Sequence, residues 1–151
     1  MKAKEKARPT FVQFTAQCRD SFAFLAEFGF TPAQLPQREF GNEFQTRFSN
    51  GKLTVVIEGI NWGYNTDVYL EDSEETRVPL VLFIPREQRR TLPERRAGEP
   101  DQCFQIRTAA KHIAEHCIDL LQGDMTRFHD RNAEWRRMTG KDRSYQKRVL
   151  P

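Results

Sequence analysis

Two stretches of alternating apolar and polar residues flank Asn50-Gly51, and they constrain the fold more than any other feature. Asn and Gly both tolerate the positive φ that a two-residue hairpin turn requires. A hairpin closed at this point makes three pairs: Phe48 with Leu53, Thr46 with Val55 and Phe44 with Ile57. These pairs gather apolar side chains on one face, so we expect an antiparallel sheet with one buried face.

The same pattern extends the sheet by two further strands. A turn within residues 61–64 would place Val68 opposite Ile57 and Leu70 opposite Val55. The run 78–84 is apolar on both faces, and Pro79 within it is typical of an edge strand. The sequence therefore predicts a four-stranded antiparallel meander.

Helical spacing appears on both sides of the predicted sheet. Before it, one apolar stripe ends at Gly29 and comprises Phe11, Phe14, Cys18, Phe22, Leu25 and Phe28. After it, a second stripe runs from Ile106 to Leu121 and continues nearly in phase beyond Gly123-Asp124. Either one long helix passes through Gly123, or the helix stops there and Asp124 caps a new one, which the residue types favour. The predicted fold class is α+β: an N-terminal helix, the four-stranded meander and two C-terminal helices.

The 151 residues match the length of a single domain that can bury a sizeable core. We expect one domain over residues 1–151. Within it, residues 1–9 form a basic, disordered arm, residues 85–102 a long exposed loop, and residues 141–151 a flexible tail.

Cysteine usage and hydropathy indicate the compartment. Cys18, Cys103 and Cys117 are an odd, widely spaced set without a CxxC pair, which is typical of a reducing environment. No apolar run approaches the ~18–20 residues of a membrane span. We therefore expect a cytoplasmic protein without a membrane segment. Because no glycine-rich phosphate loop or nucleophile elbow is present, we expect no cofactor and assign no catalytic residue.

Two short segments carry a resemblance to known proteins. These are the helix and its stop at residues 22–30, and Leu121-Gln122-Gly123-Asp124 near the end of a helix. Together with the short antiparallel sheet, this order of features resembles small uncharacterised bacterial α+β proteins, some near toxin-immunity-like families. The resemblance covers roughly residues 11–130. It implies a protein-binding role and brings no catalytic residues.

The predicted register also places three carboxylates side by side on the polar face of the sheet, and an aromatic pair at a hairpin tip. Carboxylates in a row repel one another unless a cation compensates them, and a loop-tip Trp is a common interface anchor. Our first hypothesis is a non-enzymatic, immunity-like protein-binding module. Its expected partner-binding residues are Trp62, Tyr64, Glu43, Glu58 and Asp67.

Two alternatives remain at this point. The first is nucleic-acid binding through basic residues of the loop and C-terminal segment, namely Arg89, Arg90, Arg95, Arg96, Arg136 and Arg137. The second is a metal-dependent hydrolase that uses either the three carboxylates or a helix face with His112, His116 and Asp119. Each set also has an ordinary structural explanation. Cations of this chain could neutralise the carboxylates, the basic residues could lie on a solvated helix face, and the histidines could pack beside the core. A homodimer that buries a sheet edge is also left open.

Overall fold

A computed structural model describes residues 11–33, 44–60 and 65–140 of the chain. The α-helices are α1 (Phe11–Ser21), α2 (Asp101–His116), α3 (Ile118–Leu121) and α4 (Thr126–Thr139). Three 3₁₀ helices span Ala23–Phe28, Leu80–Phe83 and Arg86–Gln88. The strands are β1 (Thr31–Pro32), β2 (Gln45–Ser49), β3 (Leu53–Ile60), β4 (Asn65–Asp72) and β5 (Arg77–Pro79). The α+β class and the order helix, sheet, helices are as predicted.

The sheet is an antiparallel meander in the order β1-β2-β3-β4-β5, so each strand pairs with its neighbour in sequence. It has one strand more than the four predicted. The additional strand, β1, is only two residues long, with Thr31 opposite Ser49 and Pro32 opposite Phe48. Two residues are too few for alternation to reveal a strand in a sequence.

The register between β3 and β4 is confirmed, with Ile57 opposite Val68 and Val55 opposite Leu70. The register between β2 and β3 differs from the prediction by two residues, because Phe48 lies opposite Val55. The cause lies in the turn, where the Asn50 side-chain oxygen accepts the amides of Lys52 at 3.0 Å and Leu53 at 2.9 Å. The loop is therefore four residues long. A slip of two preserves the faces of a strand, so the predicted apolar face is correct.

The apolar run 78–84 was predicted as one full strand, and this was wrong. Only Arg77–Pro79 pair with β4, and Leu80–Phe83 turn into a 3₁₀ helix. Phe83 stacks against Phe128 of α4 with ring centroids 6.1 Å apart. Burial against α4 thus takes the chain away from the sheet edge, and this leaves part of β4 without a neighbour.

The N-terminal stripe forms α1 and then a 3₁₀ helix rather than one continuous α-helix. The predicted stop is confirmed, because Gly29 has φ +81° in the left-handed region that favours glycine. Just beyond it, Phe30 is buried and its amide donates to the Leu25 carbonyl at 3.2 Å.

The C-terminal helical region breaks at Gly123, which has φ +98°. The side-chain oxygen of Asp124 accepts the Thr126 amide at 3.0 Å at the start of α4. The predicted stop and restart are therefore confirmed. An additional break at Cys117 separates the short α3 from α2, so three helical segments replace the predicted two.

The core lies between α1, α2 and the apolar face of the sheet. It is built largely from phenylalanine and branched aliphatic side chains, including Phe14, Phe22, Leu53, Ile57, Leu70, Ile106 and Ile113. Two thiols belong to this core, and burial raises the pKa of Cys18 and of Cys117 to about 12. Across the described ranges, no helix has the length and apolarity needed to cross a bilayer.

Candidate ligand-binding groove

A groove of about 390 Å³ lies where β4, the segment 79–92 and α2 meet, with one contribution from α4. Its volume is in the range of small-ligand and peptide-anchor pockets, about 300–1,000 Å³. We call it the edge groove, because one of its walls is the edge of β4 that β5 leaves uncovered. The strand contributes Thr66, Asp67, Val68 and Tyr69.

The backbone amides of β4 point alternately toward β3 and away from it. The Thr66 amide donates to the side chain of Gln105 at 2.6 Å, and the Asp72 amide donates to the Thr76 carbonyl at 3.1 Å. Both amides therefore point away from β3. Because successive residues of a strand direct their polar groups to opposite sides, Val68 between them also points away from β3.

Pairing between β4 and β5 covers residues 69–71 of β4, and it ends where Pro79 lies opposite Tyr69. Because Pro79 has no amide to donate, these two residues form a non-hydrogen-bonded pair, and the bonds lie on either side of it. The Leu80 amide is therefore placed to donate to the Val68 carbonyl. Leu80 then begins a 3₁₀ helix, so the ladder between β4 and β5 ends there.

Gln105 closes one end of the groove. Besides accepting the Thr66 amide, its side chain donates to the Asn65 side-chain oxygen at 3.1 Å. Both functional groups of this carboxamide are thereby used.

His112, two turns further along α2, lies toward the other end. Its Nε2 is 3.1 Å from the carbonyl oxygen of Thr91. Burial lowers the pKa of His112. The ring is therefore neutral at pH 7, and Nε2 must carry the proton because a carbonyl can only accept.

The floor of the edge groove is apolar and its rim exposes more apolar surface. Leu80, Phe104 and Ala109 are buried in the floor. On the rim, Val81 is 45% exposed and Leu92 is 53% exposed. These are two of the five large apolar side chains that the described residues expose, and both line the same groove.

Two charged residues of the groove, Arg89 and Asp67, form no ion pair with other described residues. Arg89 donates from Nε to the Ile84 carbonyl at 3.0 Å, which orients its guanidinium. The groove therefore combines apolar walls with one charge of each sign.

A second hollow, between α1 and α2, has a similar volume of about 410 Å³ but different chemistry. Two of its cations are paired: Arg107 binds Glu99 at 2.6 Å and Lys111 binds Glu115 at 2.7 Å. It offers less apolar surface than the edge groove.

The predicted row of three carboxylates does not form as expected. Gln45, not Glu43, lies opposite Glu58, because of the two-residue slip. The adjacent pair of Glu58 and Asp67 is confirmed. Glu43 itself lies outside the described residues, as do Trp62 and Tyr64.

Arginines of the sheet compensate the acidic side chains on this face. Arg77 binds Glu58 and Glu71, each at 3.2 Å, and Arg47 forms a further ion pair with Glu71. The Arg77 guanidinium also lies 4.8 Å from the centre of the Tyr69 ring. We call Arg47, Glu58, Glu71 and Arg77 the charged face. Of the described residues expected to bind a partner, Glu58 belongs to this network and Asp67 lines the edge groove.

The arginines expected to bind nucleic acid are placed differently from one another. Arg89 lines the edge groove, while Arg95 binds Asp101 at 2.8 Å and lies 4.2 Å from the centre of the Phe104 ring. The other four are exposed: Arg90 and Arg96 in the segment before α2, and Arg136 and Arg137 on α4.

Two of the three metal candidates on α2 and α3, His112 and Asp119, have other partners, while Nε2 of His116 is buried without a hydrogen-bond partner among the described residues. Asp119 accepts two hydrogen bonds from Arg127, at 2.9 and 2.7 Å, which lower the pKa of its carboxyl. The rings of His112 and His116 are 6.1 Å apart. In the described ranges, no cluster of three His, Cys, Asp or Glu side chains has the geometry to hold a metal ion.

The edge groove could not be predicted from the sequence, because four segments that lie far apart in the chain build it. One signal in the sequence points toward it in retrospect: Leu92 is a large apolar residue in an otherwise polar loop.

Comparisons with protein-family models, with curated proteins and with solved structures gave no match.

Proposed function

We propose that this protein is a non-enzymatic protein-binding module and that its partner binds in the edge groove. The observation that carries the proposal is the apolar groove with Val81 and Leu92 exposed on its rim. Exposed apolar side chains that cluster around a concave surface are typical of interaction sites rather than of ordinary surface.

The chemistry of the groove supports binding over catalysis. The one titratable base buried in it, His112, directs Nε2 at the Thr91 carbonyl. The core thiols of Cys18 and Cys117, with their raised pKa values, stay protonated at neutral pH and are poor nucleophiles. What remains is a surface suited to hold an apolar group.

Quantitative co-purification tests this proposal with two matched variants. Val81→Glu places a charge on the groove rim, while Val12→Glu makes the same change at a 73% exposed valine on α1. We expect a partner protein to be retained by wild type and by Val12→Glu and to be lost from Val81→Glu. Circular dichroism checks that both variants fold.

Identical sets of retained proteins for all three forms would overturn the proposal. A partner lost equally from both variants would also overturn it, because the effect would then not depend on the groove.

A further inference from the structure

The apolar surface around the edge groove extends beyond the groove itself. Trp135 of α4 lines the groove, and Met138, which is 59% exposed, follows it three residues later on the same side of the helix. Together with Val81 and Leu92 on the rim, three of the five large apolar side chains that the described residues expose therefore lie on or beside one face. A small molecule within the groove would leave Met138 uncovered, so this surface favours a protein as the occupant.

The charges of the groove restrict which protein surface fits there. Arg89 and Asp67 both line the groove, and neither forms an ion pair with other described residues. The Ile84 carbonyl orients the guanidinium of Arg89, and the exposed carboxylate of Asp67 is 3.4 Å from the Tyr69 hydroxyl. A complementary surface therefore offers a carboxylate to Arg89 and a cation to Asp67, beside apolar side chains.

The edge groove itself has this combination of groups. In a two-fold symmetric dimer the same patch lies on both copies, so residue i of one copy contacts residue j of the other, and j contacts i. A patch with charges of one sign would repel its own copy. A patch that carries both Arg89 and Asp67 can instead form two identical ion pairs across the axis.

We propose that the edge groove binds a second copy of this chain across a two-fold axis. Arg89 of each copy pairs with Asp67 of the other. The rim residues Val81 and Leu92 of each copy pack against the other's groove, which removes them from water. This inference rests on the proposed function and names the partner. Because the rim exposes only a few apolar side chains, we expect a reversible dimer with a Kd in the micromolar range.

Sedimentation velocity of the full chain at about 1 to 300 µM measures this dimer directly. We expect the mean mass of wild type and of Val12→Glu to rise with concentration from that of one chain toward that of two. Val81→Glu, which places a charge on the rim, should weaken the dimer at least about tenfold. A dimer of Val81→Glu as tight as that of wild type would overturn the proposal, because the interface would then lie elsewhere.

Reversal of one charge tests the ion pairs. Arg89→Asp places a carboxylate against Asp67 of the other copy, so we expect the dimer to weaken at least about tenfold. Arg90→Asp makes the same change at an exposed neighbour and should leave the dimer unchanged. If both variants weakened the dimer equally, the cause would be net charge, and the proposed pairing would be wrong.

A mixture of two variants tests the pairing from both sides. Asp67→Arg alone should also weaken the dimer, because it brings two cations together. In an equal mixture of Arg89→Asp and Asp67→Arg, each copy supplies the charges that the other requires, so both ion pairs form again. We expect dimers in the mixture at concentrations where each variant alone is monomeric.

A mixture that stays monomeric although both variants fold, as circular dichroism shows, would overturn the pairing. If Asp67→Arg does not fold, the comparison of Arg89→Asp with Arg90→Asp decides.

The outcomes separate the two proposals. If wild type remains monomeric up to about 300 µM, the second copy is not the occupant. Co-purification with Val81→Glu and Val12→Glu then decides independently whether the groove binds a different protein. If wild type dimerises through Val81, we expect the protein that co-purifies with a tagged chain to be its untagged copy.

Discussion

The charged face and the edge groove lie on the same small sheet, and they treat their polar groups in opposite ways. On the charged face, Glu71 is only 4% exposed, yet two arginines bind it. In the edge groove, the side chains of Arg89 and Asp67 form no ion pair with other described residues. Polar groups that a protein buries are normally matched within the fold. The contrast therefore separates a structural network from the surface where we propose that a partner binds.

The sequence pattern predicted part of the charged face and did not predict the edge groove. The carboxylates were recognisable in the register, and their compensation by cations of the same chain was considered from the start. Arg47 and Arg77 supply that compensation from within the sheet itself. Neither residue could be assigned this role from the sequence, because the ion pairs depend on the register of β2, β3, β4 and β5.

The largest expected effect concerns the charged face. Glu71→Ala removes the shared partner of Arg47 and Arg77 and leaves a nearly buried guanidinium uncompensated. We expect the free energy of unfolding to fall by about 3 kcal/mol, as measured by urea denaturation. Glu74→Ala, at an exposed position of the neighbouring turn, should change it by less than about 0.5 kcal/mol. A Glu71→Ala protein as stable as Glu74→Ala would show that the network is not structural.

A smaller effect is expected where the groove meets the sheet. Gln105→Ala leaves the Thr66 amide and the Asn65 side chain without their partner. We expect a loss of about 1–2 kcal/mol in the free energy of unfolding. The control is Gln122→Ala, at an exposed glutamine after α3. Equal stability of the two variants would mean that Gln105 does not close this end of the groove.

The pH dependence of stability tests the groove from its other end. Because burial lowers the pKa of His112, the unfolded chain takes up a proton below about pH 6.5 before the folded protein does. The contribution of the neutral His112 ring to the free energy of unfolding is therefore present above this pH and is lost as the pH falls.

We expect the melting temperature of wild type to drop between about pH 7.5 and about pH 5.5, and to drop less in His112→Gln. His129→Gln, at an exposed histidine on α4, should retain the wild-type slope. A wild-type slope in His112→Gln would contradict the burial of a neutral ring.

The smallest expected effect on stability is at Val81. Since this side chain is already 45% exposed, Val81→Glu should change the free energy of unfolding by less than about 0.5 kcal/mol while it removes partner binding. The reverse is expected of Glu71→Ala, whose destabilised protein should still bind in the fraction that is folded. Chemical denaturation and a binding assay on both variants measure this dissociation. If Val81→Glu were as destabilising as Glu71→Ala, Val81 would be a core residue rather than a rim residue.

Much of the fold followed from local pattern. The pairs Ile57–Val68 and Val55–Leu70 were predicted because apolar residues on both strands agree in only one register. The helix ends at Gly29 and Gly123 were predicted because only a residue that accepts positive φ fits there.

The rest depended on interactions that alternation does not encode. A slip of two residues keeps every side chain on its face, so apolar pairing could not distinguish the two-residue loop from the four-residue loop that Asn50 stabilises. The departure of Leu80–Phe83 from the sheet depends on the contact between Phe83 and Phe128, which lie 45 residues apart. The edge groove exists only because of that departure.

Quantitative co-purification with Val81→Glu and Val12→Glu, side by side with wild type, tests the role of the edge groove most directly. We predict that wild type and Val12→Glu retain the same partner protein and that Val81→Glu loses it. Retention of the same proteins by all three forms would contradict the account, because binding would then not depend on the groove.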